Sequence, residues 1–292
     1  MVKYGVYFAY WEDSWEADFE KYIEKAKALG FDILEVAALG LVHLSDNELA
    51  RLRNLAEQHN IILTAGIGLP KEYDLSSSDE KTRQNGIDFM KKVLDNLYKA
   101  GIDRIGGTIY SYWPVDYNED IDKPTALQHS ITSLRILADY ALKYEITLLI
   151  ETLNRFEQFL LNDAEEAVAY VKKINKSNVK VMLDTFHMNI EEDNIADAIR
   201  YTGTYLGHLH IGEANRKVPG HGSLPWTEIG QALRDINYDQ YIVMEPFVKT
   251  GGQVGKDIKV WRDLSNNATE VQLDEDLQQS LKFVKERFRS NQ

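Results

Sequence analysis

Short apolar runs recur along the chain, each separated from the next by a longer stretch of mixed polarity. They occupy residues 3–7, 33–38, 61–66, 104–109, 147–151, 180–184, 207–211 and 241–245. Each run is almost continuously hydrophobic rather than alternating, which is typical of parallel strands that are buried on both faces. The pattern therefore predicts eight parallel β-strands.

Amphipathic segments lie between these runs, with apolar residues at spacings of three and four, as on one face of an α-helix. The first face comprises Phe19, Tyr22, Ile23, Ala26 and Leu29, and Gly30 follows it as a helix stop. Comparable faces lie within residues 49–56, 87–97, 134–141, 164–174 and 277–288, whereas the periodicity is weakest near residues 195–199. We therefore expect helices between the strands.

Eight strand-then-helix units in sequence, with no Pro/Gly/Ser-rich linker, predict one (β/α)8 barrel domain over residues 1–292. The alternative is an open, doubly wound sheet, which normally carries a glycine-rich phosphate-binding fingerprint after its first strand. Residues 7–11 (YFAYW) contain no glycine, so the closed barrel is favoured. Longer insertions at residues 110–125 and 249–274 each follow a strand, and we expect them to form lids on the C-terminal face.

Composition narrows the classes of function. The 46 Asp+Glu residues outnumber the 33 Lys+Arg residues, and the formal net charge of −13 argues against nucleic-acid or anionic-membrane partners. The absence of Cys excludes disulfides, thiolate zinc sites and Cys nucleophiles. The N-terminus shows no signal-peptide pattern and no apolar run approaches the ~18 residues of a membrane span, so a cytoplasmic protein is expected.

Four polar residues end four successive predicted strands, and they are Glu151, Asp184, His210 and Glu245. In a barrel, each would project into the same mouth from a neighbouring strand. Three carboxylates so crowded would repel one another and raise their pKa values, and a divalent cation removes that conflict. This oxygen-rich set with one imidazole predicts a site for Mn²⁺, Co²⁺ or Mg²⁺.

The positions of the two glutamates suggest a reaction. Glu151 and Glu245 come from the fifth and eighth strands, three apart in the ring, so they approach a central ligand from opposing sides. Two carboxylates flanking one carbon can remove a proton from one face and deliver a proton to the other, which inverts the configuration. A metal ion that chelates two neighbouring oxygens would polarise the carbonyl and stabilise the enediolate formed in between.

The residues that follow these ligands fit the same reaction. Glu157, His187 and Arg216 could hold the hydroxyls beside the reacting carbon, although a loop Arg is more commonly a solvated charge. Tyr7, Trp113 and Phe247 lie at strand ends or lid bases, where they could form an apolar wall for the substrate or belong to the core. His208 shares a strand face with His210, and a core role is favoured for it.

At these residues the chain resembles the D-tagatose 3-epimerase and D-allulose (D-psicose) 3-epimerase family of ketose 3-epimerases. The resemblance covers nearly the whole chain, and the segments around Asp184 and Glu245 are highly specific. The matching segments are residues 4–11 (YGVYFAYW), 30–35 (GFDILE), 106–114 (GGTIYSYWP), 153–157 (LNRFE), 181–192 (VMLDTFHMNIEE), 212–219 (GEANRKVP), 243–247 (VMEPF) and 257–262 (DIKVWR).

The resemblance implies a xylose-isomerase-like TIM barrel with one divalent ion per subunit, typically Mn²⁺ or Co²⁺, in a homodimer or homotetramer. The implied metal ligands are Glu151, Asp184, His210 and Glu245, of which the two glutamates double as the acid/base pair. The implied substrate-binding residues are Tyr7, Trp113, Glu157, His187, Arg216 and Phe247. Ile67 and Thr108 depart from the residues common in relatives, and both lie near the predicted mouth, where they bear on the preferred sugar.

The favoured function is inversion of C3 in a free ketose, such as D-fructose/D-allulose, D-tagatose/D-sorbose or L-ribulose/L-xylulose. An aldose–ketose isomerase on the same barrel is the nearest alternative, because it can return the proton to one face and does not need both glutamates. A barrel endonuclease would need several metals and a basic groove, against which the seven His residues and the net charge of −13 count. A non-catalytic sugar-binding barrel is the third alternative, because fold does not fix function.

Overall fold

A computed structural model describes residues 2–118 and 120–289, so residues 1, 119 and 290–292 of the predicted domain lie outside the described part. Eight parallel strands form a closed barrel in sequence order. They are β1 (Lys3–Tyr7), β2 (Ile33–Ala37), β3 (Ile62–Gly68), β4 (Arg104–Thr108), β5 (Thr147–Glu151), β6 (Val179–Asp184), β7 (Leu206–Ile211) and β8 (Tyr241–Met244). The predicted (β/α)8 fold class is confirmed.

The barrel closes through parallel pairing of β1 with β8, in which Val6 lies opposite Met244. Every predicted strand is present, with bounds that differ from the prediction by two residues at most. The last strand ends at Met244, so Glu245 is the first residue of the loop that follows it. The strands are buried because helices cover their outer faces while their own side chains fill the interior.

Eleven α-helices lie in the described residues. They are α1 (Glu20–Ala28), α2 (Ala38–Leu41), α3 (Asp46–His59), α4 (Glu80–Lys99), α5 (Lys123–Ala141), α6 (Ala164–Ile174), α7 (Thr185–Glu191), α8 (Ile195–Thr202), α9 (Trp226–Asp235), α10 (Gly252–Asp257) and α11 (Glu270–Phe288). The segment with the weakest periodicity forms α8, which has only eight residues and therefore shows few repeats of the helical spacing. None of these helices combines the length and apolar character that crossing a bilayer requires.

Helix α7 is an addition to the predicted pattern, which placed no helix directly after Asp184. It starts directly at the end of β6, where Asp184 is its N-cap residue. The helix has only seven residues, which is too few for a 3.6-residue periodicity to be recognised from sequence. It nevertheless places Phe186 and His187 at the mouth of the barrel.

The close approach of β3 and β4 depends on Gly107, which has φ +106°. A Cβ atom there would lie 2.2 Å from the carbonyl oxygen of Ile67. Gly107→Ala is therefore expected to lower the free energy of unfolding by about 3 kcal/mol or more, measured by urea titration, because backbone strain and a backbone clash add. Gly30 is the matched control, with φ +89° and its nearest contact at 3.8 Å. Gly30→Ala should cost only about 1–2 kcal/mol, and equal losses in both variants would contradict the prediction.

Candidate metal centre and active site

Four side chains converge at the C-terminal mouth of the barrel. Glu151 ends β5, Asp184 ends β6, His210 lies in β7 and Glu245 follows β8. One potential ligand atom of each residue lies within 4.8 Å of those of the other three. The strand-end positions recognised in the sequence therefore meet at one point, and the carboxylate and imidazole donors suit a divalent cation.

The ring of His210 points one nitrogen into this cluster. Its Nδ1 atom lies 3.4 Å from Glu245 Oε2, 3.8 Å from Glu151 Oε1 and 3.9 Å from Asp184 Oδ2. This nitrogen is buried and has no hydrogen-bond partner among the described residues. Because a buried polar atom without a partner is costly, the arrangement fits a ligand atom aimed at a cation.

The electrostatics of the cluster agree with this assignment. Burial raises the pKa of Glu151 well above its usual value, and the neighbouring Glu245 and Asp184 carboxylates raise it further, although His210 opposes them. Burial also raises the pKa of Asp184. For His210, burial alone would lower the pKa, but Glu245 and Glu35 hold it well above its usual value. So many buried acids need a compensating positive charge, which a divalent ion supplies.

Asp184 uses its two oxygens differently. Oδ1 accepts hydrogen bonds from the backbone N–H groups of Phe186 (2.6 Å) and His187 (3.2 Å), which caps α7. Oδ2 is the atom that faces His210 Nδ1. The cap therefore fixes the orientation of the carboxylate while leaving one oxygen directed into the centre.

Glu35 lies directly behind the cluster, and the sequence analysis assigned it no role. Its Oε1 is 2.5 Å from His210 Nε2, and its Oε2 accepts a hydrogen bond from Thr64 Oγ1 at 2.7 Å. His208 Nε2 is 3.2 Å from the same Oε2 atom, with the His208 side chain fully buried in the core. The available signal was an acid in the middle of the otherwise apolar segment 33–37, ILEVA.

A cavity of about 420 Å³ opens above the cluster, and Glu151, His210 and Glu245 lie in its wall. Asp184 is not among the residues that line the cavity, and its side chain is only 1% exposed. All six residues predicted to contact substrate do line it: Tyr7, Trp113, Glu157, His187, Arg216 and Phe247. Ile67 and Thr108, the two departures from the family pattern, line it as well.

The polar side of this cavity is a connected network around Glu157. Arg216 Nη2 and Asn154 Nδ2 donate to Glu157 Oε1 at 3.2 and 3.1 Å, and Trp113 Nε1 donates to Oε2 at 3.3 Å. Burial would raise the pKa of Glu157, but His187 and Arg216 hold it below its usual value. The network presents an ionised carboxylate and a guanidinium side by side at the cavity wall.

His187 has a defined tautomer in this network. The backbone N–H of Asn154 donates to His187 Nδ1 at 3.1 Å, so Nε2 is the nitrogen that carries the proton when the ring is neutral. Burial lowers the pKa of His187, which favours that neutral form. The ring can therefore donate one hydrogen bond from Nε2.

Aromatic rings form another part of the cavity wall. The ring centroids of Tyr7 and Phe247 are 6.1 Å apart, and Trp15 lies 6.3 Å from Trp113 and 6.2 Å from Phe247. Trp15 was not predicted, because it falls in an irregular segment between β1 and α1 with no periodic signal. Trp15 Nε1 donates to Asp257 Oδ2 at 2.8 Å. This bond fixes the insertion after β8 at the rim of the cavity.

Comparison with known proteins identifies the family. A family model described as a xylose isomerase-like TIM barrel matches residues 23–285. The D-psicose 3-epimerase of Agrobacterium fabrum (strain C58) is 54% identical over 282 residues, which cover 97% of this chain and 98% of that protein. A crystal structure of D-psicose 3-epimerase in the presence of D-fructose is 53% identical with a TM-score of 0.97, covering 98% of this chain and 99% of that chain.

A second solved structure gives the same result. The D-psicose 3-epimerase of Clostridium cellulolyticum H10, solved with D-tagatose, is 51% identical with a TM-score of 0.97, covering 99% of this chain and 100% of that chain. The resemblance seen in the sequence is thereby confirmed. The chain belongs to the xylose isomerase-like TIM barrel family and, within it, to the D-tagatose 3-epimerase and D-allulose (D-psicose) 3-epimerase family of ketose 3-epimerases.

Proposed function

We propose that this protein is a metal-dependent ketose 3-epimerase that inverts C3 of a free ketohexose or ketopentose. One observation carries the proposal. Glu151 and Glu245, from strands three apart in the ring, bring carboxylate oxygens within 4.8 Å of each other in the wall of a cavity of about 420 Å³. A cavity of this size accommodates a single small sugar.

The proposed ligands of one divalent ion are Glu151, Asp184, His210 and Glu245. Carboxylate oxygens with one imidazole suit Mn²⁺ or Co²⁺, with Mg²⁺ as a third candidate. The unpartnered Nδ1 atom of His210 supports this assignment. When bound, such an ion polarises a carbonyl and stabilises the negative charge that develops on it.

Glu151 and Glu245 would perform the proton transfers. One carboxylate removes the C3 proton, and the electron pair of the broken C–H bond moves toward the C2 carbonyl. The other carboxylate then delivers a proton to the opposite face of C3, and the electron pair returns to form the new C–H bond. The two epimers exchange the roles of base and acid between the two residues, as microscopic reversibility requires.

The remaining wall would orient the sugar. Glu157, His187 and Arg216 offer an acceptor, a donor and a charged donor, which match the hydroxyls beside the reacting carbon. The aromatic rings offer an apolar face to the sugar carbons. Among the described lining residues, the two permanent cations Lys71 and Arg216 each lie beside a carboxylate, Asp116 at 3.5 Å and Glu157 at 3.2 Å. This pairing favours an unphosphorylated ketose.

Arg216 provides a test of this binding wall. Its guanidinium lies 3.5 Å from the centroid of the Phe186 ring while donating to Glu157. Arg216→Lys keeps the charge but loses the planar stack and the fork of donors, so KM is expected to rise about 10- to 100-fold in steady-state assays. The half-buried Arg234 on α9, which does not line the cavity, is a matched control, and Arg234→Lys should leave KM unchanged. An unchanged KM in Arg216→Lys would remove Arg216 from substrate binding.

A substrate panel in ²H₂O tests the proposed function directly. The Mn²⁺-loaded protein is incubated with D-fructose, D-tagatose and L-ribulose, and the products are separated and examined by NMR. Epimerisation predicts D-allulose, D-sorbose and L-xylulose with deuterium at C3. Aldose products with deuterium at C2 would instead identify an aldose–ketose isomerase, and unchanged, unlabelled sugars would identify a binding protein.

We further propose that the enzyme is a cytoplasmic homodimer or homotetramer. The acidic, Cys-free composition supports the location. The assembly is the one implied by the family resemblance. Light scattering coupled to gel filtration, compared with the 33.5 kDa mass of one chain, distinguishes dimer from tetramer and either from a monomer.

A further inference from the structure

We infer that Glu35 is a positioning residue that fixes the orientation and tautomer of His210 in the metal centre. This inference rests on the proposed function, because it gives Glu35 a purpose only if His210 binds the ion. The sequence signal for Glu35 was a lone acid within the apolar segment 33–37. Three features of the buried cluster of Glu35, Thr64, His208 and His210 support this role.

The first feature is that the Glu35 carboxylate is itself immobilised. Glu35 is 2% exposed on β2, and its side chain reaches across the barrel interior to β7. Oε1 contacts His210 Nε2 at 2.5 Å, while Thr64 Oγ1 donates to Oε2 at 2.7 Å. His208 Nε2 approaches the same Oε2 at 3.2 Å. Both oxygens are therefore engaged, and rotation of the carboxylate would break at least one contact.

The second feature is the effect of the immobilised Glu35 carboxylate on the imidazole ring of His210. A metal ion binds the neutral imidazole, and because a carboxylate accepts hydrogen bonds, the contact with Glu35 assigns the single ring proton of that neutral form of His210 to Nε2. Nδ1 is then left with its lone pair, directed toward Glu245, Glu151 and Asp184 at 3.4–3.9 Å. Only a nitrogen with a free lone pair can be a metal ligand. A carboxylate behind a ligating histidine is a recurrent way to orient the ring and increase its basicity.

The third feature separates this role from a second metal site. Glu35, His208 and His210 also form a trio whose potential ligand atoms lie within 4.8 Å of one another. Two atoms bound to one ion at about 2.0–2.2 Å each would lie roughly 3 Å apart, whereas Glu35 Oε1 and His210 Nε2 are 2.5 Å apart. All three side chains are at most 2% exposed. The geometry is that of a direct hydrogen bond.

The test compares Mn²⁺ binding and His210 tautomer in the full-length protein. Calorimetric titration with MnCl₂ should show one ion per chain in the wild type and a 10- to 100-fold weaker affinity in Glu35→Gln. Thr64→Val is the matched control, because it removes a contact to Glu35 Oε2 but keeps the bond to His210. Its affinity should fall clearly less than that of Glu35→Gln, whereas equal losses would indicate a merely structural cluster and overturn the inference.

A spectroscopic measurement on the wild type keeps the inference testable if Glu35→Gln does not fold. In the diamagnetic Mg²⁺-loaded protein, the ¹⁵N signals of His210, assigned by their loss in His210→Asn, should show the proton on Nε2. A proton on Nδ1, or two Mn²⁺ ions per chain, would overturn the inference. Failure of the wild type to bind Mn²⁺ would instead reject the proposed function. Wild-type binding with unchanged affinity in Glu35→Gln would reject the role of Glu35 alone.

Discussion

Glu245→Gln is expected to lower kcat for C3 epimerisation by about 10²–10⁴-fold, the range that positioned acid–base groups contribute. Glu151→Gln should have an effect of the same order, because in the proposed mechanism the two carboxylates act on opposite faces of one carbon. An amide keeps an oxygen at each position but cannot take up or release the proton. The measurement is the initial rate of ketose interconversion at saturating Mn²⁺, with bound metal determined in the same samples.

Hydrogen exchange at C3 in the single variants tests the mechanism more specifically than loss of rate does. Each retains one carboxylate, so each should still exchange the C3 proton of the one epimer whose C–H bond faces that residue. Glu151→Gln and Glu245→Gln should therefore incorporate deuterium from ²H₂O into opposite epimers without interconverting them. Glu286→Gln, which alters an exposed glutamate on α11, serves as the control. Full epimerisation by either active-site variant would reject the two-carboxylate mechanism.

Removing the divalent ion is expected to abolish epimerisation and to lower the thermal midpoint of unfolding. Without the ion, Glu151, Asp184 and Glu245 are crowded together with partial compensation from His210. An ion present at 100 times its dissociation constant adds about 2.7 kcal/mol to stability. For a chain of this size, that corresponds to a rise in Tm of roughly 5 °C. Dialysis against a chelator followed by calorimetry, with and without added MnCl₂, measures the difference.

The control for metal removal is a chain that cannot form the centre. Asp184→Asn and His210→Ala should show little increase in Tm on addition of MnCl₂, whereas Lys256→Ala on α10 should respond like the wild type. Activity that survives chelation with no metal detected in the protein would contradict a metal-dependent reaction.

Much of the fold could be predicted because the barrel repeats one simple pattern. Continuous apolar runs identify strands buried on both faces, and all eight are present in the structure. Helix α7 was not predicted, because its start is determined by a single capping residue, Asp184, rather than by a periodic apolar face. Short elements at strand ends depend on local capping, which leaves little trace in hydrophobic patterning.

The part of the candidate site that lies at the ends of strands could be predicted from the sequence. Glu151, Asp184, His210 and Glu245 are positioned by strands whose C-terminal ends share one face, so their convergence follows from topology alone. Glu35 and Trp15 could not be placed in this way. The contact of Glu35 with His210 depends on two side chains that meet across the barrel interior. The contact of Trp15 with Asp257 depends on the path of two irregular segments.

The double use of Asp184 has a consequence for the order of events in the reaction cycle. The same carboxylate faces the cluster and caps the helix that holds His187, and Phe186 on that helix stacks against Arg216. We therefore expect cation occupancy and sugar affinity to be coupled through α7, and linkage makes any such coupling reciprocal. The metal-free protein should bind ketoses weakly, and a bound sugar should in turn raise the affinity for the ion.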